Sequence, residues 1–156
     1  MVYRVNGPAQ TQALGRALGE QLAAGDTVLL SGGLGMGKSV LARAIARAQG
    51  VAGPMPSPTF TLMQPYAGRC ALCHYDLYRL EDPEEFYAAG LDEPLGRALC
   101  LVEWPMEGVE FPSPRIIASI DRGEDSQARV ITLAHEGLGA RAEGLLAALS
   151  PWEAKA

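Results

Sequence analysis

Short unbroken runs of apolar residues alternate along the chain with segments whose apolar residues recur every three or four positions. The unbroken and alternating runs predict strands at residues 27–31, 59–64, 71–77, 98–102, 115–120 and 128–133. The helical spacing predicts helices at residues 11–24, 38–49, 82–90 and 138–149. In the first helix, Leu14, Leu18 and Leu22 share one face, and Thr11 is the candidate N-cap.

Strands that alternate with helices predict an α/β fold with a central, mostly parallel sheet and flanking helices. The second and third strands are separated only by a turn around Ala67 and Gly68, so they are expected to form a β-hairpin extension. A chain of 156 residues with 48% hydrophobic and 20% charged residues has an ordinary globular composition. We therefore expect one domain over residues 1–156, with a loosely ordered tail at about residues 150–156.

A glycine-rich segment lies between the predicted strand at residues 27–31 and the predicted helix at residues 38–49. Residues 32–39 read GGLGMGKS and match G-x-x-x-x-G-K-[ST], the phosphate-binding P-loop. Glycines let backbone N–H groups converge on phosphate oxygens, and the start of the helix directs its positive dipole end to the same place. Lys38 can reach the β- and γ-phosphates, and the Ser39 hydroxyl can ligate Mg²⁺. These features predict a single domain of the P-loop NTPase type.

Two acidic residues lie where a P-loop enzyme needs a carboxylate near the metal and the attacking group. Glu103 directly follows the predicted strand at residues 98–102, so it is expected beside Mg²⁺. Asp76 lies late in the predicted strand at residues 71–77, where it would serve the reaction or form a salt bridge with Arg79.

Composition narrows the choice of ligand. The net charge of −5 gives no basic surplus for gripping nucleic acid through bulk electrostatics. Guanine recognition normally uses an Asn-Lys-x-Asp element, and the one asparagine of the chain, Asn6, lies outside any such element, so ATP is the better nucleotide. Thr11 could contribute near the adenine base, or it could act only as a helix cap.

One motif suggests a different chemistry. Residues 70–74 spell C-x-x-C-H, the pattern of c-type haem attachment. Haem attachment requires export, and the N-terminal sequence has no apolar signal-peptide core, so we expect no haem and a cytoplasmic location. No apolar run reaches the length of a membrane span, so no membrane partner is expected. Cys73 is expected to fill the core, since His135 and Cys100 are distant in sequence as zinc ligands.

Four elements together resemble the bacterial TsaE family, small P-loop ATPases needed for threonylcarbamoyladenosine formation in tRNA. They are GGLGMGKS at residues 32–39, SPTFTL at residues 57–62, HYDLYRL at residues 74–80 and LVEWP at residues 101–105. A P-loop alone is generic, whereas the other three elements in this order are specific. The resemblance extends over about residues 11–133.

The resemblance implies roles for individual residues. The implied nucleotide-contacting residues are Thr11, Gly33, Leu34, Gly35, Met36, Gly37, Lys38, Ser39, Thr59 and Trp104. The implied catalytic residues are Lys38, Asp76 and Glu103. Ser39 and Glu103 would hold Mg²⁺, Thr59 would sense the γ-phosphate, and Asp76 would orient the hydrolytic site. Ser39 replaces a more common threonine and Met36 a more common small residue, but the required hydroxyl and backbone N–H are kept.

The family resemblance further implies an ATP-driven switch that binds the TsaD and TsaB proteins of the threonylcarbamoyl transferase complex and reaches tRNA only through them. The γ-phosphate and Mg²⁺ would order the proline-rich residues 51–59, and hydrolysis would release them. Hydrolysis by the protein alone is expected to be slow, because no arginine is evidently placed to act in cis. The alternatives are a small-molecule P-loop kinase, against which the short segment between Glu103 and Arg115 argues, and a non-catalytic ATP-gated scaffold.

Overall fold

A seven-stranded mixed sheet organises the chain in the computed structural model, which describes residues 1–155. The strands are β1 (Val2–Asn6), β2 (Thr27–Ser31), β3 (Met63–Ala67), β4 (Ala71–Asp76), β5 (Leu99–Glu103), β6 (Arg115–Arg122) and β7 (Ala128–Glu136). The helices are α1 (Pro8–Glu20), α2 (Lys38–Ala48), α3 (Pro83–Ala88) and α4 (Arg141–Leu149), and a 3₁₀ helix at Ser150–Trp152 follows α4. Within residues 1–155, none of the helices combines the length and apolarity that crossing a bilayer requires.

The strand order is β1-β7-β6-β2-β5-β4-β3. The four central strands, β6, β2, β5 and β4, are parallel, and both edges are antiparallel. This arrangement confirms the predicted single α/β domain with a parallel centre and a hairpin, β3–β4. Because neighbouring parallel strands end at the same edge of a sheet, the residues that follow β2, β4 and β5 are brought together there.

The sheet separates two hydrophobic cores. Alternate residues of β5 face opposite sides, so Leu99 and Leu101 join the core formed with α1, α2 and α4. Cys100 and Val102 join the core on the other side, which contains Phe86 of α3. β2, β4 and β5 are therefore buried on both faces, as the continuous apolar runs of β2 and β5 predict, whereas β6 is fully buried on one face only.

Two glycines allow α1 to pack closely on α2. A Cβ atom on Gly15 would lie 2.7 Å from the Cβ of Ala44, and one on Gly19 would lie 2.7 Å from the carbonyl oxygen of Ile45. Neither distance is compatible with a real side chain, so the close approach of the two helices depends on glycine at both positions. This packing holds α2, and with it the end of the P-loop, against the rest of the fold.

The N-terminal region differs from the prediction. β1 was not predicted, although the alternation that buries Tyr3 and Val5 is a strand signal, and β1 pairs with β7. The first helix begins at Pro8 rather than Thr11, since proline is well suited to the first helical position, and its N-cap is Gly7. The prediction of Thr11 as N-cap is therefore wrong: its Oγ1 lies inside the first turn and donates to the Gly7 carbonyl at 3.3 Å.

The starts of β3 and α4 also differ from the predicted element boundaries. β3 begins at Met63, and the residues before it form a turn in which the backbone N–H of Leu62 donates to the Pro58 carbonyl at 2.8 Å. Leu62 takes a positive φ of 65°, which ends the extended run predicted from residue 59. α4 begins at Arg141, and after it the N–H of Ala154 donates to the Val2 carbonyl at 2.9 Å, so the C-terminal segment contacts the β1 edge.

Candidate functional site

The P-loop connects β2 to α2. Gly35 and Gly37 have φ values of 74° and 109°, a region that favours glycine, and a Cβ atom at either would meet no atom within 4 Å. The space beside the loop is therefore open. Gly37 is the N-cap of α2, and no side chain of residues 1–155 caps this helix start, so its first-turn N–H groups remain available to an anion.

Two buried carboxylates lie side by side at the ends of β4 and β5. Asp76 and Glu103 are register partners, and their exposed fractions are 7% and 3%. The Ser39 hydroxyl, in the first turn of α2, donates to Glu103 Oε1 at 2.9 Å. The contact joins the P-loop helix to the neighbouring strand end, as the sequence motifs predict for a P-loop fold.

The second oxygen of Glu103 contacts a histidine. His74 is fully buried, and its Nε2 lies 2.5 Å from Glu103 Oε2. An ionised carboxylate only accepts hydrogen bonds, so with Glu103 ionised the donor in this contact is the Nε2–H of His74. His74 Nδ1 has no hydrogen-bond partner among the described residues. His74 thus fixes the orientation of Glu103, and only the register between β4 and β5 reveals this contact.

Lys38 folds back onto its own loop. Its Nζ donates to the carbonyls of Gly32 and Gly33 at 2.6 and 2.8 Å and lies 4.0 Å from the centre of the Trp104 ring. Burial lowers the pKa of Lys38, while the carboxylates of Glu103 and Asp76 act in the opposite direction. The ammonium is held in place by neutral acceptors and an aromatic face rather than by an ion pair.

The proline-rich segment closes the other side of the site. Ser57 and Thr59 place their hydroxyl oxygens 2.9 Å apart, and Thr59 Oγ1 donates to Asp76 Oδ2 at 3.3 Å. Asp76 Oδ1 accepts from the backbone N–H of Tyr78 at 3.1 Å. Asp76 therefore links β4 to the segment that precedes β3.

These groups line one cavity of about 390 Å³. Its lining residues are Leu34, Gly35, Met36, Gly37, Lys38, Ser39, Val40, Ser57, Thr59, Asp76, Glu103 and Trp104. Among the predicted site residues only Thr11 and Gly33 lie outside this lining. Gly33 contacts the site through its carbonyl, which accepts from Lys38. Thr11 instead lines an adjoining cavity of about 130 Å³ that shares Gly35, Met36 and Gly37 with the first one.

Sequence reasoning missed Arg129, which lies in β7. Its Nε donates to the Met36 carbonyl of the P-loop at 3.3 Å, and its side chain lines the smaller cavity together with Thr11. No local motif marks this residue. The alternative of a salt bridge between Asp76 and Arg79 is wrong, because the Arg79 guanidinium lies over the Phe60 ring, with 4.6 Å between the guanidinium carbon and the ring centre.

The donor set fits a hard cation such as Mg²⁺. A hydroxyl and a carboxylate oxygen, from Ser39 and Glu103, meet at the open side of the P-loop, and Mg²⁺ is usually held by one or two such groups together with phosphates and water. Among residues 1–155, no three His, Cys, Asp or Glu side chains are grouped to hold a metal ion by themselves. In the C-x-x-C-H segment, Cys73 packs in the core beside Cys100, its register partner.

The chain has a strand, a glycine-rich loop and a helix in succession, and the serine of the helix is hydrogen-bonded to a carboxylate at the end of the adjacent parallel strand. This arrangement defines an α/β protein of the P-loop type. The chain belongs to the TsaE family, whose model, "Threonylcarbamoyl adenosine biosynthesis protein TsaE", matches residues 5–131. Membership confirms the resemblance found in the sequence and places the chain in a family of threonylcarbamoyladenosine biosynthesis in tRNA.

Individual relatives agree with the family model. The chain is 42% identical over 133 residues to a tRNA threonylcarbamoyladenosine biosynthesis protein TsaE of Mycobacterium bovis, a match that covers 78% of this chain and 79% of the relative. It is 41% identical over 105 residues to the protein of the same name from Rickettsia conorii, with 66% and 60% covered. The crystal structure of Bacillus subtilis YdiB superposes with a TM-score of 0.73 at 29% identity and covers 97% of this chain and 94% of that one.

Proposed function

We propose that the chain is an Mg²⁺-dependent ATPase that acts as a nucleotide switch for the TsaD–TsaB threonylcarbamoyl transferase complex. The observation that carries the proposal is the Ser39–Glu103 hydrogen bond of 2.9 Å, with Asp76 beside Glu103. It brings a metal-ligating pair and a second carboxylate to the open side of a P-loop. Family membership supports the pathway, and the site chemistry supports the nucleotide.

Phosphate binding is assigned to the P-loop, the start of α2 and Lys38. The Lys38 ammonium now donates to neutral carbonyls, and phosphate oxygens are stronger acceptors because they are charged. We expect Lys38 to exchange at least one of these contacts for a phosphate when ATP binds. The added negative charge also favours the protonated form of Lys38, whose pKa is lowered by burial.

Ser39 and Glu103 are the residues that would hold Mg²⁺. When bound, Mg²⁺ neutralises charge on the phosphoryl oxygens during transfer to water. His74 keeps the Glu103 carboxylate in one orientation through Oε2, so Oε1 stays directed at Ser39. His74 therefore acts as a positioning residue, since it contacts the carboxylate and not the nucleotide.

Thr59 and Asp76 are proposed to form the switch. The Thr59 hydroxyl now donates to Asp76 Oδ2. Rotation of the Thr59 side chain towards a γ-phosphate would leave Asp76 Oδ2 free. This oxygen could then orient an attacking water or accept its proton. Loss of the γ-phosphate would return Thr59 to Asp76 and shift the proline-rich segment back to the position it has in this structure. The position of the segment, which a partner can contact, would therefore depend on the bound nucleotide.

The proposal is tested by reconstitution with purified TsaD and TsaB from the same source. We expect slow ATP hydrolysis by the protein alone and faster hydrolysis with the pair. With tRNA and an activated threonylcarbamoyl donor supplied, we expect threonylcarbamoyladenosine in tRNA only when all three proteins and ATP are present. An ATPase rate unchanged by the pair, together with tRNA modification that proceeds equally without this protein, would refute the switch function. Modification that requires the protein without any ATP turnover would support the non-catalytic scaffold instead.

A further inference from the structure

An arginine-lined groove lies on the surface between α1 and α2, outside the nucleotide site. It has a volume of about 240 Å³, and its lining is Gln12, Arg16, Val40, Arg43, Ala44 and Arg47. We call it the arginine groove. Three cations and no acidic residue line it, although the chain as a whole carries a net charge of −5. This concentration of positive charge is not required by the nucleotide site described above.

The positive charges of the groove have no compensating acid. Among residues 1–155, no carboxylate lies within 4 Å of these three guanidinium groups, whereas other arginines do form ion pairs: Arg4, Arg115 and Arg141. Arg43 Nε donates to the Met55 carbonyl at 3.2 Å, and Arg47 donates to the carbonyls of Val51 and Gly53 at 3.0 and 2.6 Å. These acceptors are neutral, so the charge and several N–H donors remain for an anion.

We propose that the arginine groove docks a short carboxylate-rich segment of the protein partner. Planar guanidinium groups bind carboxylates in a two-pronged geometry that suits such a segment. RNA is disfavoured because three cations would release few counterions, the remainder of the chain is acidic, and none of the groove residues is an aromatic platform for bases. The proposal rests on the proposed function, which supplies the partner, the TsaD–TsaB pair.

The groove is connected to the switch through the backbone. Arg43 and Arg47 hold the carbonyls of residues 51, 53 and 55, directly before Ser57 and Thr59 at the nucleotide site. A bound carboxylate competes with these carbonyls for the same guanidinium groups. Docking at the groove and the position of the proline-rich segment are therefore linked, and the linkage must act in both directions.

The test uses Arg16, which is exposed and, unlike Arg43 and Arg47, makes no hydrogen bond to the proline-rich segment. The full-length protein with Arg16→Glu is compared with wild type and with Arg97→Glu, a control that makes the same charge change at an exposed arginine that does not line the groove. Affinity for the purified TsaD–TsaB pair is measured by biolayer interferometry with Mg²⁺ and a non-hydrolysable ATP analogue. We expect Arg16→Glu to bind about tenfold or more weakly and Arg97→Glu to stay within about twofold of wild type. Both variants should keep the wild-type melting temperature and affinity for the ATP analogue, and Arg16→Gln replaces Arg16→Glu if the latter does not fold.

Each result has a defined meaning. If wild type and Arg16→Glu bind the pair equally, the inference about the groove is wrong and the proposed function stands. If wild type itself does not bind the pair, the proposed function fails and the inference falls with it. If Arg16→Glu binds the pair normally but loses affinity for a tRNA anticodon stem-loop that wild type binds, the groove is an RNA contact, and the protein-docking proposal is overturned.

Discussion

The two ends of β2 carry buried charges that are satisfied in different ways. Just before the strand begins, Asp26 is only 2% exposed. Its carboxylate accepts from Arg141 Nη1 and Nη2 at 3.0 and 2.5 Å and from the backbone N–H of Ala23 at 2.8 Å. Both oxygens of the Asp26 carboxylate are therefore paired within the protein.

At the other end of β2 the polar network is incomplete. Lys38 has only backbone carbonyls as hydrogen-bond acceptors, and His74 Nδ1 has no partner among the described residues. Asp76 and Glu103 lie side by side with one hydroxyl donor each, from Thr59 and Ser39. The comparison shows that the first network is built for stability, whereas the second keeps bonding capacity that a phosphate and a cation can use.

The largest expected effect is on turnover, from Glu103→Gln. The amide keeps the shape of the side chain but removes the charge that would hold Mg²⁺ beside Ser39. We expect the rate of ATP hydrolysis to fall by about 100-fold or more, with ATP affinity retained within about tenfold and no loss of thermal stability. Steady-state kinetics and a melting curve test this prediction. If Glu103→Gln hydrolyses ATP at the wild-type rate, Glu103 has no role in the reaction.

The opposite pattern is expected for Arg141→Met at the structural end of β2. The change leaves the Asp26 carboxylate buried with only one backbone donor. Because Arg141 is partly exposed, we expect a loss of about 2 kcal/mol in the free energy of unfolding, below the value for a fully buried pair. Urea denaturation measures the loss. ATPase activity of the folded variant should equal that of wild type, and a decrease in both quantities would mean that the two ends are not independent.

A smaller effect is expected from His74→Leu. The substitution removes the hydrogen bond to Glu103 and also removes the unpartnered Nδ1, so these two effects on stability oppose each other. We expect turnover to fall about tenfold with little change in the KM for ATP. The free energy of unfolding should fall by about 1 kcal/mol, because the loss of the donor to the buried Glu103 Oε2 outweighs the removal of Nδ1. His74→Gln, which keeps a donor, should recover part of the rate. A variant with unchanged kinetics would show that His74 only fills space.

The smallest effect concerns alkaline pH and lies outside the nucleotide site. Burial raises the pKa of Tyr75, whose hydroxyl donates to the Leu91 carbonyl at 2.7 Å. Stability from this neutral phenol is present below the unfolded-state pKa of about 10 and decreases as pH rises above that value. Tyr75→Phe should cost about 1 kcal/mol at pH 8.

The difference between wild type and Tyr75→Phe removes the contribution of groups that do not interact with Tyr75, such as Lys38, and retains that of the neighbouring Cys73 and Cys100 thiols. A raised phenol pKa disfavours the folded wild type above pH 10. The difference in the free energy of unfolding between wild type and Tyr75→Phe should therefore decrease by roughly 1 kcal/mol by pH 11. Urea unfolding at the two pH values provides the measurement. A gap that is constant with pH would show that Tyr75 ionises as readily in the folded protein as in the unfolded chain.

Local signals predicted much of the fold and site. β2, the P-loop and α2 are adjacent in sequence, and the residues of the motif specify their shared geometry. The strand-end position of Glu103 followed from an apolar run that stops at an acid, whereas the side-by-side placement of Asp76 needed the β4–β5 register. The turn at Thr59 was hidden because residues 59–64 have a strand-like composition.

Contacts between distant segments could not be predicted. Arg129 reaches the P-loop from 93 residues away, and His74 reaches Glu103 across 29 residues, so neither leaves a local pattern. The assignment of Thr11 as a cap failed for a different reason. Pro8 extends the helix upstream, and the glycine before it takes a positive φ that no periodicity reports.

The central claim is that the open end of β2 binds ATP with Mg²⁺ through Lys38. Isothermal titration calorimetry of the full-length protein with ATP and Mg²⁺ tests it most directly, with Lys38→Ala as the matched variant. We predict a saturable heat of binding for wild type and a loss of affinity of at least about 100-fold for Lys38→Ala. No heat with wild type at millimolar nucleotide, confirmed by an unchanged melting temperature, or equal binding by the two proteins would contradict the account.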